Sequence, residues 1–149
     1  MKKENFDLVV LGSGPGGYVA AIRASQLGMK TALIEKGNLG GVCLNYGCIP
    51  TKALIKTSEV VNTLKHDAKG LGIKFDNFSA DYKKNFKRSR ATAMKNSKGV
   101  EFLMKKNKIT VIKGFGKFNA DGDILVHDEE NQVTNIVKGK NTIIATGGR

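Results

Sequence analysis

The segment that most restricts the fold is Gly12-Ser13-Gly14-Pro15-Gly16-Gly17, wedged between the apolar run Leu8-Val9-Val10-Leu11 and a stretch of small and apolar residues ending at Gly28. A short, nearly continuous apolar run, here beginning at Phe6, suits a strand buried on both faces of a parallel sheet. Tyr18, Ala20, Ala21, Ile22, Ala24 and Leu27 then read as a helix, with Pro15 tolerated in its first turn and Gly28 stopping it. Thr31-Ala32-Leu33-Ile34 is a second strand that delivers Glu35 at its carboxyl end. The result is a compact β-α-β unit. In that context Gly12 permits the tight turn, Gly14 lets the backbone approach a pyrophosphate, and Gly17 allows close packing of helix on strand. Glu35 lies eighteen residues beyond Gly17, where an acidic side chain can accept hydrogen bonds from a ribose with free hydroxyls. The segment predicts a dinucleotide site.

The only two cysteines of the 149 residues, Cys43 and Cys48, follow in Gly40-Gly41-Val42-Cys43-Leu44-Asn45-Tyr46-Gly47-Cys48-Ile49-Pro50-Thr51-Lys52. Five residues apart in a regular helix, their α-carbons would be roughly 8.6 Å apart, beyond the ~7 Å that a disulfide spans. A bonded pair therefore needs a distorted turn. Gly47 can supply unusual backbone angles, and Pro50 disfavours helical geometry at Ile49. A disulfide over so short a loop constrains the unfolded chain little, which argues against a purely stabilising staple. Zinc would need four ligands, and His66 and His127, the only histidines, lack metal-ligand spacing to the cysteines, so no metal site is expected. Two unlinked thiols remain an alternative to a redox disulfide. A dithiol passes electrons to NAD poorly in one step, because NAD accepts a hydride, and an isoalloxazine ring is the usual adaptor. A cysteine pair just past a dinucleotide turn thus points to FAD.

Along the rest of the chain, Thr51 to about Leu64 and Ser79 to about Lys106 have helical apolar spacing, the latter with Phe86, Met94, Val100, Leu103 and Met104. Short strands are expected at 109–112, 114–118, 124–126, 133–137 and 141–145. The fold expected is α/β, a Rossmann-like domain with a parallel sheet and a small antiparallel β addition near its C-terminal end, and residues 1–149 read as one domain. Residues 51–100 carry 12 basic and 4 acidic side chains, a net +8 of the chain's +12. Lysines and arginines alternate there with apolar positions at helical intervals, as on a solvated amphipathic face, and no nucleic-acid-binding signature accompanies them. The sequence has no run of eighteen apolar residues, signal peptide or transit segment, so no membrane role is expected and the cytoplasm is the default location.

The glycine turn, the Gly40-to-Lys52 segment and the terminal Ala145-Thr146-Gly147-Gly148-Arg149 together resemble, in order and spacing, the N-terminal part of the two-cysteine pyridine nucleotide-disulfide oxidoreductases of the glutathione reductase type. Cys-Leu-Asn with Cys-Ile-Pro-Thr-Lys leans towards the lipoamide branch. The resemblance covers essentially the whole chain. It implies an FAD-binding domain in which Cys43 exchanges with the lipoyl disulfide and Cys48 lies against the flavin, with Lys52 beside the reactive nitrogen of the ring. It further implies cofactor contacts from Gly12, Gly14, Pro15, Gly16, Gly17, Glu35, Lys36, Gly41, Val42, Gly116, Thr146 and Gly147. The activity implied is oxidation of a protein-bound dihydrolipoyl group, electrons passing through the cysteines and FAD to NAD. The implied partners are the lipoyl domain of a 2-oxo-acid dehydrogenase complex and a second copy in a homodimer.

Two residues depart from that pattern: Val42 stands where Thr is usual and Tyr46 where a smaller apolar residue is usual. Loss of the hydroxyl at Val42 carries an expected cost of about 1 kcal/mol in cofactor contact. A second dinucleotide domain for NAD and an interface domain with a His-Glu pair are not found in these residues, so the chain is expected to be a fragment without turnover on its own. A non-catalytic flavin-binding module and a glutathione- or mercuric-type reductase are the competing functional readings.

Overall fold

The structure, a computed structural model, describes residues 2–148; Met1 and Arg149, the last residue of the terminal motif, lie outside the described residues. Its elements in chain order are β1 (Lys2–Leu11), α1 (Pro15–Gln26), β2 (Thr31–Glu35), α2 (Gly41–Asn45), α3 (Cys48–His66), α4 (Tyr82–Lys106), β3 (Thr110–Lys113), β4 (Phe115–Phe118), β5 (Ile124–His127) and β6 (Val133–Ile144). One six-stranded sheet runs in the order β3-β2-β1-β6-β5-β4. The pairs β3-β2, β2-β1 and β1-β6 are parallel, whereas β6-β5 and β5-β4 are antiparallel. This is the expected α/β architecture, with a parallel sheet and an antiparallel addition.

Side-chain alternation along the strands divides the core in two. Leu8, Val10 and Leu33 face the helices and pack with Ala21 and Ala24 of α1, Leu44 of α2 and Val100 and Met104 of α4. Val9, Leu11, Ala32 and Ile34 face the other way and meet Ile124, Val126 and Val137 of the antiparallel strands. Both faces of the parallel sheet are thereby covered, as its apolar strands require. The antiparallel strands fold over the sheet closely at Gly116, where an added Cβ would stand 2.6 Å from Leu11 Cδ2 and 3.1 Å from Ile124 Cγ2.

Several boundaries differ from the sequence expectation, among them the start of α4, which begins at Tyr82 behind its Asp81 cap rather than near Ser79. β1 begins at Lys2, not Phe6, because the polar Lys2-Lys3-Glu4-Asn5 pairs with Asn135–Lys138 of β6. The expected strands at 133–137 and 141–145 are one continuous β6 through Lys138-Gly139-Lys140. Gly139 there is a packing residue, since a Cβ on it would come within 2.9 Å of Val9 Cγ2. α3 starts at Cys48 rather than Thr51.

α4 is capped by Asp81, whose carboxylate accepts from the Lys84 amide at 3.0 Å. Ser89, Ala93, Val100 and Met104 form its buried stripe, while Phe86 and Met94, expected among its apolar positions, are exposed. Lys83, Lys84 and Lys87 lie on the solvent side, as anticipated for a solvated basic face. No helix among the described residues is long and apolar enough to cross a membrane.

Candidate functional site

The turn between β1 and α1 is held from three directions. Gly12 has φ +93°, a conformation L side chains rarely adopt, and its amide donates to the Ile34 carbonyl at 2.8 Å. A Cβ on Gly12 would collide with the carbonyl of Ala145, so the segment after β6 passes directly against the turn. A Cβ on Gly17 would overlap the Gly12 carbonyl oxygen, which explains close seating of α1 on the strand end. Gly14 and Gly16, by contrast, have no heavy atom beyond their own chain neighbours and helix backbone within 4 Å of a would-be Cβ among the described residues. Their outer side is open to a ligand, and Pro15 occupies the first helical turn as expected.

Ser13, which the sequence reading passed over, is the polar centre of this turn. It is fully buried; its hydroxyl donates to Glu35 Oε2 at 2.7 Å and accepts from the Gly40 amide at 3.2 Å. Its own amide donates to the same Glu35 oxygen at 2.9 Å. Glu35 Oε1 accepts from the Gly37 amide at 2.8 Å. Burial pushes the Glu35 pKa up, but the Ser13 hydroxyl and the amides of Gly37, Ser13 and Lys36 outweigh it, holding the carboxyl below its ordinary value. Glu35 therefore organises the turn from within as an anion, in addition to any contact with a ligand. A serine between the first two glycines, followed by an acid at the next strand end, was the available signal.

The cysteine segment sits on that same turn. Gly41, at φ +62°, lies so close that a Cβ would be 2.7 Å from Gly14 Cα, and the Gly40 amide donates to the Ser13 carbonyl at 3.0 Å. Cys43 lies in α2 and Cys48 opens α3, with Tyr46 (φ −135°, ψ −5°) and Gly47 (φ −119°, ψ −107°) breaking the helix between them. That break brings their α-carbons to 4.7 Å, where the two sulfurs are joined in a disulfide. The expected distorted turn is present at Tyr46 and Gly47 but not at Ile49, which is helical despite Pro50, because a proline in the first turn of α3 lacks only an amide that has no intrahelical partner there. The unlinked-thiol and zinc alternatives do not describe this pair. Cys48 is exposed; Cys43 is half buried, packed against the helix-side core.

A narrow cleft of about 120 Å³ runs from the turn along the sheet end, lined by Gly12, Glu35, Lys36, Gly116 and Thr146 among others. Five of the sequence-derived contact residues thus converge from four separate stretches of chain. Lys36 also lies 5.5 Å from the Phe115 ring centroid, a cation–π distance. Lys52 is exposed on α3, Val42 is exposed on α2, and Gly147 adopts φ +76° after the last strand. His66 and His127, the expected bystanders, end α3 and β5 respectively.

Tyr46, the unusual residue between the cysteines, is exposed but not idle: the Arg90 guanidinium stands 5.5 Å from its ring centroid. Arg90 also donates to the Asn45 carbonyl at 2.6 Å.

Comparison with known proteins places these features in a family. Residues 6–149 match the family described as pyridine nucleotide-disulphide oxidoreductase. The chain is 52% identical over 143 residues to a dihydrolipoyl dehydrogenase of Mycobacterium bovis, covering 96% of this chain and 30% of that protein. It is 48% identical over 142 residues to a mitochondrial dihydrolipoyl dehydrogenase of Pisum sativum (95% and 28%) and equally to a leghemoglobin reductase of Vigna unguiculata (95% and 27%). The chain spans about three tenths of the length of the curated relatives it matches.

Proposed function

The chain belongs to the pyridine nucleotide-disulphide oxidoreductase family, and from that premise we propose that residues 1–149 are the FAD-binding part of a dihydrolipoyl dehydrogenase. The observation that carries the reading is the seating of the disulfide-bearing segment on the dinucleotide turn, Gly41 against Gly14 and the Gly40 amide on Ser13.

The residues present fit the cofactor. Gly14 and Gly16 leave an open approach to the backbone, and the α1 N-terminus favours a pyrophosphate. Glu35, Lys36, Gly116 and Thr146 line a cleft continuous with the turn and suit an adenosine. Pro15, Gly17, Gly41, Val42, Lys52 and Gly147 complete the proposed set. When bound, FAD supplies the two-electron carrier between a dithiol and NAD. NAD is proposed to bind outside these 149 residues.

The chain's own chemistry is thiol–disulfide exchange. A substrate thiolate attacks Cys43 Sγ, forming a mixed disulfide and releasing Cys48 as a thiolate. The second substrate thiol then displaces Cys43, closing the substrate disulfide and leaving both cysteines reduced. Two electrons and two protons leave the substrate. The half-buried Cys43 needs the substrate delivered on a slender arm, which suits a lipoyl group on a carrier domain of a 2-oxo-acid dehydrogenase complex. Homodimeric assembly and a cytoplasmic location belong to the same proposal.

The test is NADH formation from dihydrolipoamide by the full-length protein that supplies the NAD site, with Cys43→Ser and Cys48→Ser alongside; the 149 residues alone should show no turnover. Turnover lost in both variants supports the proposal. Flavin binding without turnover would leave a flavin-binding module, and efficient reduction of glutathione disulfide with NADPH would move the protein to the glutathione branch.

A further inference from the structure

The two cysteines sit on separate helices, and α4 grips both. Arg90 donates to the Asn45 carbonyl at 2.6 Å, at the C-terminal end of the Cys43 helix, and lays its guanidinium on Tyr46. Arg88, two residues earlier, donates to Thr57 Oγ1 at 2.8 Å and to the Ala53 carbonyl, both in the helix that Cys48 opens. α2 has only five residues, too few to persist as a helix without outside contacts. Its end is fixed by Arg90 from α4 and by the buried Asn45, whose side-chain amide donates to the carbonyls of Gly41 at 2.9 Å and Leu39 at 3.0 Å.

We propose that Arg90 is a positioning residue for disulfide exchange: it holds the Cys43 helix against α4 so that the two sulfurs stay within bonding range when their bond is open. The inference rests on the reading that Cys43 and Cys48 cycle between disulfide and dithiol. A charge-assisted hydrogen bond and a cation–π contact with Tyr46 restrict the motion of α2 in the reduced state. Less chain freedom is then lost on re-forming the bond, so the effective concentration of one thiol at the other is raised. Asn45 and the Gly41 contact hold the same helix in part, so the Arg90 share is a fraction of the whole.

The experiment is equilibration of the purified full chain in dithiothreitol buffers, followed by alkylation of free thiols and counting of trapped cysteines. In it dithiothreitol gives two electrons and two protons to the Cys43–Cys48 disulfide and becomes its own cyclic disulfide. For Arg90→Gln the equilibrium constant for protein disulfide formation falls about three- to tenfold, the upper end being ~30 mV towards easier reduction. Arg90→Lys, which keeps the charge and a donor but loses the guanidinium that reaches both the Asn45 carbonyl and the Tyr46 ring, falls between, as does Tyr46→Leu. Lys87→Gln, an exposed loss of the same charge on the same helix, stays at the parent value. The sign separates positioning from electrostatics: a cation that merely stabilised a thiolate would, when removed, make the disulfide harder to reduce. A shift in that direction, or no shift in Arg90→Gln with its urea unfolding midpoint preserved, overturns the inference. If Arg90→Gln is too unstable to purify, Arg90→Lys and Tyr46→Leu carry the same test. A parent disulfide that dithiothreitol does not open overturns the redox reading and this inference together, whereas a parent that opens with variants identical to it overturns the inference alone.

Discussion

Gly16 and Gly17 are neighbours in one motif, yet the structure assigns them opposite responses to the same substitution. An alanine methyl at position 17 would overlap the Gly12 carbonyl oxygen and stand 2.9 Å from its carbon and 3.4 Å from Ala145 Cβ. Those first two neighbours are backbone of the tight turn and cannot rotate aside, so α1 must lift from the end of β1. Overpacking of this kind costs about 1–3 kcal/mol, and an immovable neighbour puts the site at the upper end, ~3 kcal/mol. The gain from replacing helical glycine by alanine, up to about 1 kcal/mol, leaves a net loss of ~2 kcal/mol for Gly17→Ala. At position 16 the methyl meets nothing within 4 Å, so only the propensity gain remains, ~0.5–1 kcal/mol of added stability. The two variants should differ by about 3 kcal/mol, or roughly 6–12 °C in Tm for a chain of this size. Urea unfolding followed by circular dichroism on chains without added flavin measures it directly. Variants within about 0.5 kcal/mol of each other, or a Gly17→Ala more stable than Gly16→Ala, would refute the argument that Gly17 is required by backbone contact.

Gly41→Ala combines a positive φ with a Cβ 2.7 Å from Gly14 Cα, so it should destabilise by ~2–4 kcal/mol and weaken flavin binding, read by fluorescence titration. Ser13→Ala removes the hydroxyl that donates to Glu35 and accepts from Gly40, an expected loss of about 1–3 kcal/mol in urea unfolding at neutral pH. Because the Glu35 pKa is depressed on folding, the stability it contributes is fully present above the ordinary glutamate value of about 4.3 and is lost as pH falls through its lower folded value. Unfolding curves between neutral and acid pH should therefore show a shallower acid decline in Ser13→Ala, and an unchanged pH slope would count against the Ser13–Glu35 pairing. Cys48→Ser leaves a single thiol and should abolish the dithiol step of dithiothreitol titration while the fold, read by circular dichroism, persists.

How much of this was legible beforehand follows from the range of each interaction. The β-α-β unit and the roles of Gly12 and Gly17 could be read directly, because the strand, turn and helix are contiguous and their contacts run between near neighbours. The distorted turn at Gly47 was also legible, since a disulfide over five residues is incompatible with regular helix geometry whatever surrounds it. Ser13 escaped notice because a buried serine looks like any turn serine until Glu35 and Gly40 converge on its hydroxyl. Nothing local explains Tyr46, because its partner Arg90 lies 44 residues further along the chain and meets its ring only in the folded state.

Local pattern determined that this chain builds a parallel sheet with a dinucleotide turn at its end and a cysteine pair soon after it, because steric and periodic constraints act within a few residues. Only the tertiary structure decided that Lys2–Asn5 is a strand, that residues 133–144 form one strand through a polar interruption, and that Gly116 and Gly139 are glycines for packing on Leu11 and Val9. Pairing energy and close contact between distant segments overrode weak local preference at each of these positions. The seating of Gly41 on Gly14, which brings the disulfide to the turn, is a backbone contact between two segments separated by a strand and a helix, and no periodicity in the sequence encodes it.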